Sequence, residues 1–286
     1  MSKPRSAHNG PQADSGLTLV LNAAEGILQI AIADDENLPL FGAAITAPSR
    51  GVEVLTFSLE SALTLLGKKP TDISRVAAVQ GPGSFTGIRL TATTAAGLAR
   101  SVAARQAGLN YMHCLAGQCE PFLRLAPVGA VLWVLVRARR DLVYIQAFVP
   151  GQETFHAFRA LTELTVLTVS SGETAAHIQE TMLRAGASHA FLAGSGAIEN
   201  QDALASELAL GNYSATTFLN IASPSPETLL RAAAEAEYAD ADIEPLYIRA
   251  SDAEVNLPQI AARLGLDPVQ AVRQLHTLTH TGPGHE

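Results

Sequence analysis

Gly81-Pro82-Gly83-Ser84-Phe85-Thr86-Gly87-Ile88-Arg89 stands between a short apolar run, Val76 to Val79, and a stretch crowded with Ala, Thr and Gly from Thr86 to Ala104. The run reads as a buried strand and the crowded stretch as a helix, so the glycine-rich residues Gly81 to Gly87 form the turn between them. Each residue type has a mechanical use there. Gly81 and Gly83 can take positive φ in a tight turn, Ser84 or Thr86 can cap exposed helix amides, and Gly87 lets the first helical turn approach its neighbour closely. Such a helix start is also an anion site in principle, because unpaired amides and the helix dipole face the loop. A capped turn with no ligand is the simpler alternative. The stretch departs from a Walker phosphate loop, which needs G-x4-G-K-[ST]: Ile88 and Arg89 follow the glycine, with no lysine or magnesium-binding hydroxyl in place.

Upstream, Leu17 to Leu21, Ile27 to Ala33 and Leu40 to Ala47 are short apolar runs with polar punctuation, which predicts a meander of three strands. Val52, Leu55, Leu59, Ala62 and Leu66 then follow a period of about 3.6 residues, which predicts a helix ended by Gly67. Downstream, Leu109 to His113 reads as the next strand. A second series predicts strands at Ala130 to Val136, Leu142 to Val149 and Thr154 to Phe158, a helix at Glu173 to Ala185, and a strand at His189 to Ala193. Helices near Asp202 to Leu210 and Pro226 to Tyr238 complete it. Three strands, helix, strand, helix therefore occur twice, without a residue-level repeat. Strands alternating with helices indicate an α/β fold whose sheets contain parallel pairs, here in two related lobes.

Composition narrows the function. The 286 residues are 48% hydrophobic, enough for a substantial core. Lys and Arg total 19 against 27 Asp and Glu, a formal charge of -8, so the chain lacks the basic excess that gripping a phosphate backbone alone requires. Apolar runs such as Gly129 to Val136 fall far short of the ~20 residues of a membrane-spanning helix. Met1 to Gly16 are polar, without the apolar stretch of a secretory signal, and read as a disordered leader. Cys114 and Cys119 are too few for a disulfide framework, and C-x4-C lacks a second ligand pair for zinc; reduced thiols in the cytoplasm fit best. His113 beside Cys114 is read as a strand end leading into a helix, with no chemistry assigned.

The signature stretch resembles the GPGSFTG-[IVL]-R motif of the TsaB (YeaZ) family, in the Gcp-like, peptidase M22-like superfamily, through Gly81, Pro82, Gly83, Ser84, Phe85, Thr86, Gly87 and Arg89. The meander, the helix ending at Gly67, the alanine-rich helix, Ala138-Arg139 with Val143-Tyr144, and Pro245-Leu246-Tyr247-Ile248-Arg249 fall in that family's order. The resemblance thus runs from Leu17 to Ala250. It implies an actin-like, sugar-kinase-like (ASKHA) two-lobed α/β fold, each lobe a mixed sheet with helices. The expected divisions are a leader at 1–16, an N-terminal lobe at 17–114, a C-terminal lobe at 115–250 and a helical extension at 251–286. The function implied is that of a non-catalytic scaffold subunit of the complex that makes threonylcarbamoyladenosine in the tRNA anticodon loop. Such a subunit pairs with a TsaD-like catalytic subunit, supports a TsaE-like ATPase, forms a homodimer when alone and meets tRNA only through the complex. No cofactor and no metal are expected.

Departures from the wider fold bear on nucleotide binding. Active members carry an Asp followed by Ser or Thr at the end of the first strand, to help hold the metal and phosphates of ATP; here the stretch reads Leu21-Asn22-Ala23-Ala24-Glu25. Asn22 and Ala23 remove hard anionic oxygen from a magnesium site. Arg137 stands where relatives carry an Asp before Ala-Arg, reversing the charge, so Asn22, Ala23 and Arg137 mark a degenerate nucleotide site. Arg137, Arg139 and Arg140 are open to three roles: anion binding, ion pairs with a partner, or a solvated basic turn. The catalytic homologue binds metal through H-x3-H on the helix after its meander, and Val52 to Leu66 contains no His. His276 and His280 make that spacing only in the tail, with no carboxylate nearby but Glu286, and H-E-x-x-H occurs nowhere. Two rival functions are a degenerate paralogue acting as a homodimeric regulator, and an ATP-dependent kinase, against which Asn22 and Arg137 speak.

A partner face is expected on the two helices that flank the signature. Val54, Phe57, Ser61 and Leu65 form a second stripe on the first helix, and one face cannot serve both stripes. Thr93, Thr94, Gly97 and Ser101 line one side of the next helix with small residues that permit close helix packing. Resemblance to TsaB points to these helices as the surface that meets TsaD or a second copy; the alternative is that both stripes are buried within the subunit. Beyond the family core, Leu257 to Leu275 reads as a helical hairpin, with Gly265 at its break and Asp267-Pro268 opening the second helix. Its few cations, Arg263 and Arg273, favour packing over DNA binding.

Overall fold

In a computed structural model, which describes residues 16–46, 51–151, 158–211, 215–248, 261–263, 267 and 270, the apolar runs of the first half assemble into a five-stranded sheet. Its elements are β1 (Leu17–Asn22), β2 (Ile27–Ala33), β3 (Pro39–Thr46), α1 (Gly51–Leu65), a 3-10 turn (Pro70–Asp72), β4 (Ile73–Gly81), α2 (Phe85–Val102) and β5 (Arg105–Asn110). The strand order is β3-β2-β1-β4-β5, antiparallel within the meander and parallel from β1 through β4 to β5. Strand β1 is buried along its whole length, which is why its sequence runs apolar where a one-sided strand would alternate. One face of the sheet, with Leu19, Leu21, Ile30 and Val76, packs on Leu55, Ala62 and Leu63 of α1 and Ala95 and Ala99 of α2.

The second half repeats the plan. After α3 (Tyr111–Gln118) and α4 (Glu120–Leu123) come β6 (Ala130–Arg139), β7 (Leu142–Pro150), β8 (Phe158–Ala160), β9 (Thr165–Thr168), α5 (Glu173–Arg184) and β10 (His189–Ala193). Then follow α6 (Ser195–Glu199), α7 (Gln201–Leu208), β11 (Ala215–Phe218) and α8 (Pro226–Ala234). The order β11-β10-β6-β7-β8, with β9 also on β7, places β6, β7, β8, β10 and β11 as β1 to β5 are placed in the first sheet. This duplicated mixed sheet is the actin-like, sugar-kinase-like plan that the resemblance implies, and it gives the two related lobes that the element count predicts. Val20, Ala77 and Val79 from the first sheet and Leu132, Val134 and Phe148 from the second share one core with Leu115 of α3 and Leu229 of α8.

Several predicted boundaries move, each for a local reason. The strand expected at Leu109 to His113 stops at Asn110, whose side chain accepts hydrogen bonds from the Met112 and His113 amides and so starts α3. Helix α2 ends at Val102 because Ala103 turns left-handed, φ 55°. Helix α8 ends at Ala234, short of Tyr238, and Ala239 exchanges both backbone hydrogen bonds with Gln106 at 2.7 and 2.8 Å, covering the β5 edge. Leu246 then donates its amide to the Gln80 carbonyl at 2.7 Å, beside the signature loop. Of the strand expected at Thr154 to Phe158, only Phe158 falls within the described residues and it opens β8.

Contacts divide the chain into one unit ending at Leu246 and another from Tyr247. In the second unit residues 261–263 are helical and Asp267 Oδ1 accepts from the Gln270 amide at 3.4 Å; Gly265, His276 and His280 lie outside the described residues. Among the described residues no helix is long and apolar enough to cross a membrane.

Candidate functional site

The signature loop is bound to its own chain. The Ser84 hydroxyl accepts from the Gly87 amide at 3.3 Å, so of the two possible caps Ser84 is the one made. Gly81 has φ 125°, outside the range of ordinary side chains, and precedes a cis bond to Pro82. The Ser84 amide donates to the Ala24 carbonyl at 2.5 Å, on the turn between β1 and β2. Gly83 and Gly87 lie against that same turn: a Cβ at Gly83 would stand 2.8 Å from the Ala24 Cβ, and one at Gly87 2.9 Å from the Ala23 carbonyl carbon. The loop therefore covers the β1–β2 turn with its own backbone. Phe85 and Thr86 stay exposed at its crest, and the Arg89 guanidinium sits 3.9 Å from the Phe85 ring centre.

Beneath the loop, Asn22 is fully engaged. Its Nδ2 donates to Gln29 Oε1 at 2.5 Å, its Oδ1 accepts from the Ala24 amide at 2.9 Å, and Gln29 Nε2 continues to the Pro224 carbonyl at 2.8 Å. Ala23 offers no oxygen of its own side chain. For Arg137 the structure shows a pair within the chain, which is not among the three roles left open: its guanidinium meets Glu199 at 3.1 Å. The carboxylate in this region is Glu25, and it too is held. Tyr111 Oη donates to Oε2 at 2.5 Å, Ser195 Oγ donates to Oε1, and Ser195 Oγ accepts from the Arg137 amide at 3.0 Å. Burial pushes the Glu25 carboxyl above its ordinary value, against the lowering effect of both hydroxyls and of Arg137. Burial and the neighbouring Glu25 charge push the Tyr111 phenol well above its own. A magnesium nucleotide needs free hard oxygens and open amides here; with Asn22 and Ser84 N engaged and a carboxylate in the cleft, these residues do not fit one.

The outer face of α1 and α2 is the other candidate site. Phe57 and Leu65 are 72% and 78% exposed, Ser61 is half-buried, and Thr93, Gly97 and Ser101 are exposed beside half-buried Thr94. The inner stripe is buried through Leu55 and Ala62, and the second stripe is not, since Phe57 and Leu65 stay outside. Val54 is a correction: it packs against the inner core with Leu59 and Leu66, while Leu63, absent from the expected inner stripe, is buried there. The hydroxyls of this side turn back to their own helix, Thr94 to the Leu90 carbonyl and Ser101 to that of Leu98, each at 2.8 Å. A Cβ at Gly97 would meet nothing within 4 Å.

The family model for TsaD, described as tRNA N6-adenosine threonylcarbamoyltransferase, matches residues 47–257, well over half of the chain. The chain belongs to the TsaD family. Among solved structures it resembles a protein from Pseudomonas aeruginosa with similarity to the peptidase YEAZ, at TM-score 0.61 and 20% identity, covering 82% of this chain and all of that one. It also resembles YeaZ from the same organism, at TM-score 0.59 and 19% identity over 81% of this chain and 99% of that one. At such identities these structures show the fold. No curated protein matches significantly.

As a TsaD-family chain it shows a cluster that its motifs did not reveal. Tyr111, Ser195 and the seating of Glu25 depend on contacts across the fold. A signal did exist in Gly194-Ser195-Gly196, directly after a strand, as Gly81-Pro82-Gly83-Ser84 follows another. Gly194, φ 104°, and Gly196 press on the Leu135 carbonyl of β6, where a Cβ at Gly196 would come within 3.1 Å of the oxygen. Cys114 and Cys119 are buried free thiols, each pushed up to about 12 by burial, which leaves neither a nucleophile nor a metal ligand.

Proposed function

We propose that this chain is a TsaB-like, non-catalytic scaffold subunit in the synthesis of threonylcarbamoyladenosine on tRNA, acting in the cytoplasm. The observation that carries the reading is the exposed face of Phe57, Leu65, Thr93, Gly97 and Ser101 on α1 and α2, too apolar and too smooth for a helix pair that meets only water. The occupant proposed is a TsaD-like catalytic subunit, whose paired helices would close a four-helix arrangement; a second copy takes the same face when the chain is alone. A TsaE-like ATPase would join that pair, and tRNA would be held by the complex, in keeping with the -8 charge of this subunit. The engaged Asn22 and the held Glu25 support a role without nucleotide chemistry of its own.

Reconstitution tests it. Mixed with a TsaD-like enzyme, a TsaE-like ATPase, the threonylcarbamoyl donor, ATP and tRNA, the chain is expected to support modification, and Phe57→Glu to abolish both association and modification while the melting curve stays that of the parent. Failure of the parent chain where a standard TsaB succeeds, with the homodimer intact, favours the homodimeric regulator. Tight magnesium-dependent ATP binding by the isolated chain in calorimetry would restore the kinase reading.

A further inference from the structure

The Glu25 cluster has the composition of an oxyanion pocket. Two hydroxyl groups converge on one point from separate parts of the fold, Tyr111 at the start of α3 and Ser195 at the start of α6. Tyr111 is wholly buried, and Ser195 is fixed by the Arg137 amide on its other side. The Arg137 guanidinium adds a positive field that Glu199 balances. Without an acceptor at the centre, the wholly buried Tyr111 hydroxyl and the half-buried Ser195 hydroxyl would lose their partner, which is costly for a donor withdrawn from water. The acceptor supplied is a side chain of the β1–β2 turn, whose next residue, Gly26, takes φ 76°. Glu25 thereby joins the first sheet, through its turn, to the second sheet, through Ser195 and β6.

We propose that Ser195, Tyr111 and Arg137 form an oxyanion pocket for a phosphate group, and that the chain's own Glu25 carboxylate fills it. The carboxylate acts as a built-in occupant: it presents two oxygens to the two hydroxyls and excludes a phosphate by volume and by charge. The misfit of a nucleotide to this cleft then has a specific cause, located at one side chain and removable with it. With Glu25 gone, Arg137 and Glu199 leave the cluster neutral and both hydroxyls open to an anion. Filling the pocket internally also latches the two sheets together without a ligand, the opposite of a cleft that closes on its substrate.

Inorganic phosphate is the probe, and the full chain the sample. Glu25→Ala is expected to bind phosphate at least tenfold more tightly than the parent, read by calorimetry and by the rise in Tm. Phosphate also stabilises folded proteins by exclusion from their surface, so the Tm shift is read against the parent at equal phosphate concentration. The double variant Glu25→Ala, Ser195→Ala should lose the gain. Glu25→Gln, which keeps the volume and removes the charge, should remain blind to phosphate. Should Glu25→Ala not fold in plain buffer, the decisive reading is near-ultraviolet circular dichroism with added phosphate: recovery supports the pocket, and no recovery overturns it. A folded Glu25→Ala whose phosphate affinity equals that of the parent, or whose gain survives loss of the Ser195 hydroxyl, overturns it equally.

Discussion

Helices α1 and α5 hold equivalent places in the two halves, each crossing from the meander to the next parallel strand, yet their outer faces differ in kind. On α1 the outward residues include Phe57, Ser61 and Leu65; on α5 they include Glu173, Glu180 and Arg184, with Glu180 and Arg184 paired at 3.1 Å. Past the next parallel strand the contrast is one of degree, since α2 presents Thr93, Gly97 and Ser101 where α7 presents Gln201 and Asp202 beside Ala203, Ala205 and Ser206. A duplicated plan lets each half serve as the control for the other. Burial of the inner face accounts for both helices equally; outside it, α1 exposes two large apolar side chains, Phe57 and Leu65, beside the small residues of α2, whereas α5 exposes one, Leu183, among charged neighbours. The loops that follow β4 and β10 show the same divergence. Glycines press the loop on a neighbouring backbone carbonyl in both, at Ala23 and Ala24 in one and at Leu135 in the other, but the first loop keeps an exposed crest and the second supports a buried hydrogen-bond cluster.

The largest effects should come where the two loops agree. Gly87→Ala and Gly194→Ala each set a methyl group into a backbone carbonyl, and Gly194 adds a positive φ. Each is expected to lower stability by about 3 kcal/mol or more, measured as a fall in the urea midpoint. A loss at Gly194 with none at Gly87 would show that the signature loop yields where its counterpart does not.

Association separates the helices. Phe57→Glu should weaken partner binding by about 3 kcal/mol, more than a hundredfold in Kd. Leu183→Glu on α5, a residue 73% exposed against 72% for Phe57, should leave Kd unchanged in sedimentation or light scattering. Equal losses would move the interface off α1 and erase the distinction drawn between the halves.

Acidification should act with opposite signs on the two halves. Glu25 lies above its ordinary 4.5 in the folded state because it is buried, so its contribution is fully present below 4.5 and is lost as pH rises through the folded value. Facing it are the charges of Arg137 and Glu199 and the neutral hydroxyls of Tyr111 and Ser195. His177 on α5, edge-on to Trp133 at 5.7 Å, lies below its ordinary 6.5 because it is desolvated, with Glu180, Arg184 and Glu173 around it. Its contribution is present above 6.5 and is lost as pH falls from there. Between pH 7 and 4.5 the parent should therefore gain stability relative to Glu25→Gln and lose it relative to His177→Gln, in urea titrations at stepped pH.

Much of this architecture is legible because it rests on local periodicity. The strand His189 to Ala193 and the three early strands fall where apolar runs and punctuation put them, and Gly67, with φ 62°, follows α1 as its terminator. The start of helix α3 hid behind a strand-like run because Asn110 caps by side-chain geometry that periodicity does not record. At the sites, Phe57, Leu65 and Gly97 could be read as outward from helical spacing alone, whereas Val54 could not, since it sits at the margin of the core stripe. The Glu25 cluster joins residues at 25, 111, 137 and 195, and only the packing of one sheet against the other brings them into contact.

The smallest effect sharpens the comparison most finely, because it acts on a face without disturbing its chemistry. Gly97 lies inside α2 with open space where a Cβ would stand, so Gly97→Ala removes backbone freedom from the unfolded chain and adds no clash. The isolated subunit should gain about 0.5–1 kcal/mol, seen as a higher urea midpoint. If a partner helix crosses at Gly97, the same methyl enters the closest approach of the two helices and should weaken association at the same time. Stability up and affinity down from one methyl group is the signature of a helix crossing at that point. Stability up with affinity unchanged would place the crossing elsewhere on α2, nearer Thr93 or Ser101, and matched Thr93→Val and Ser101→Val variants would then locate it along the helix.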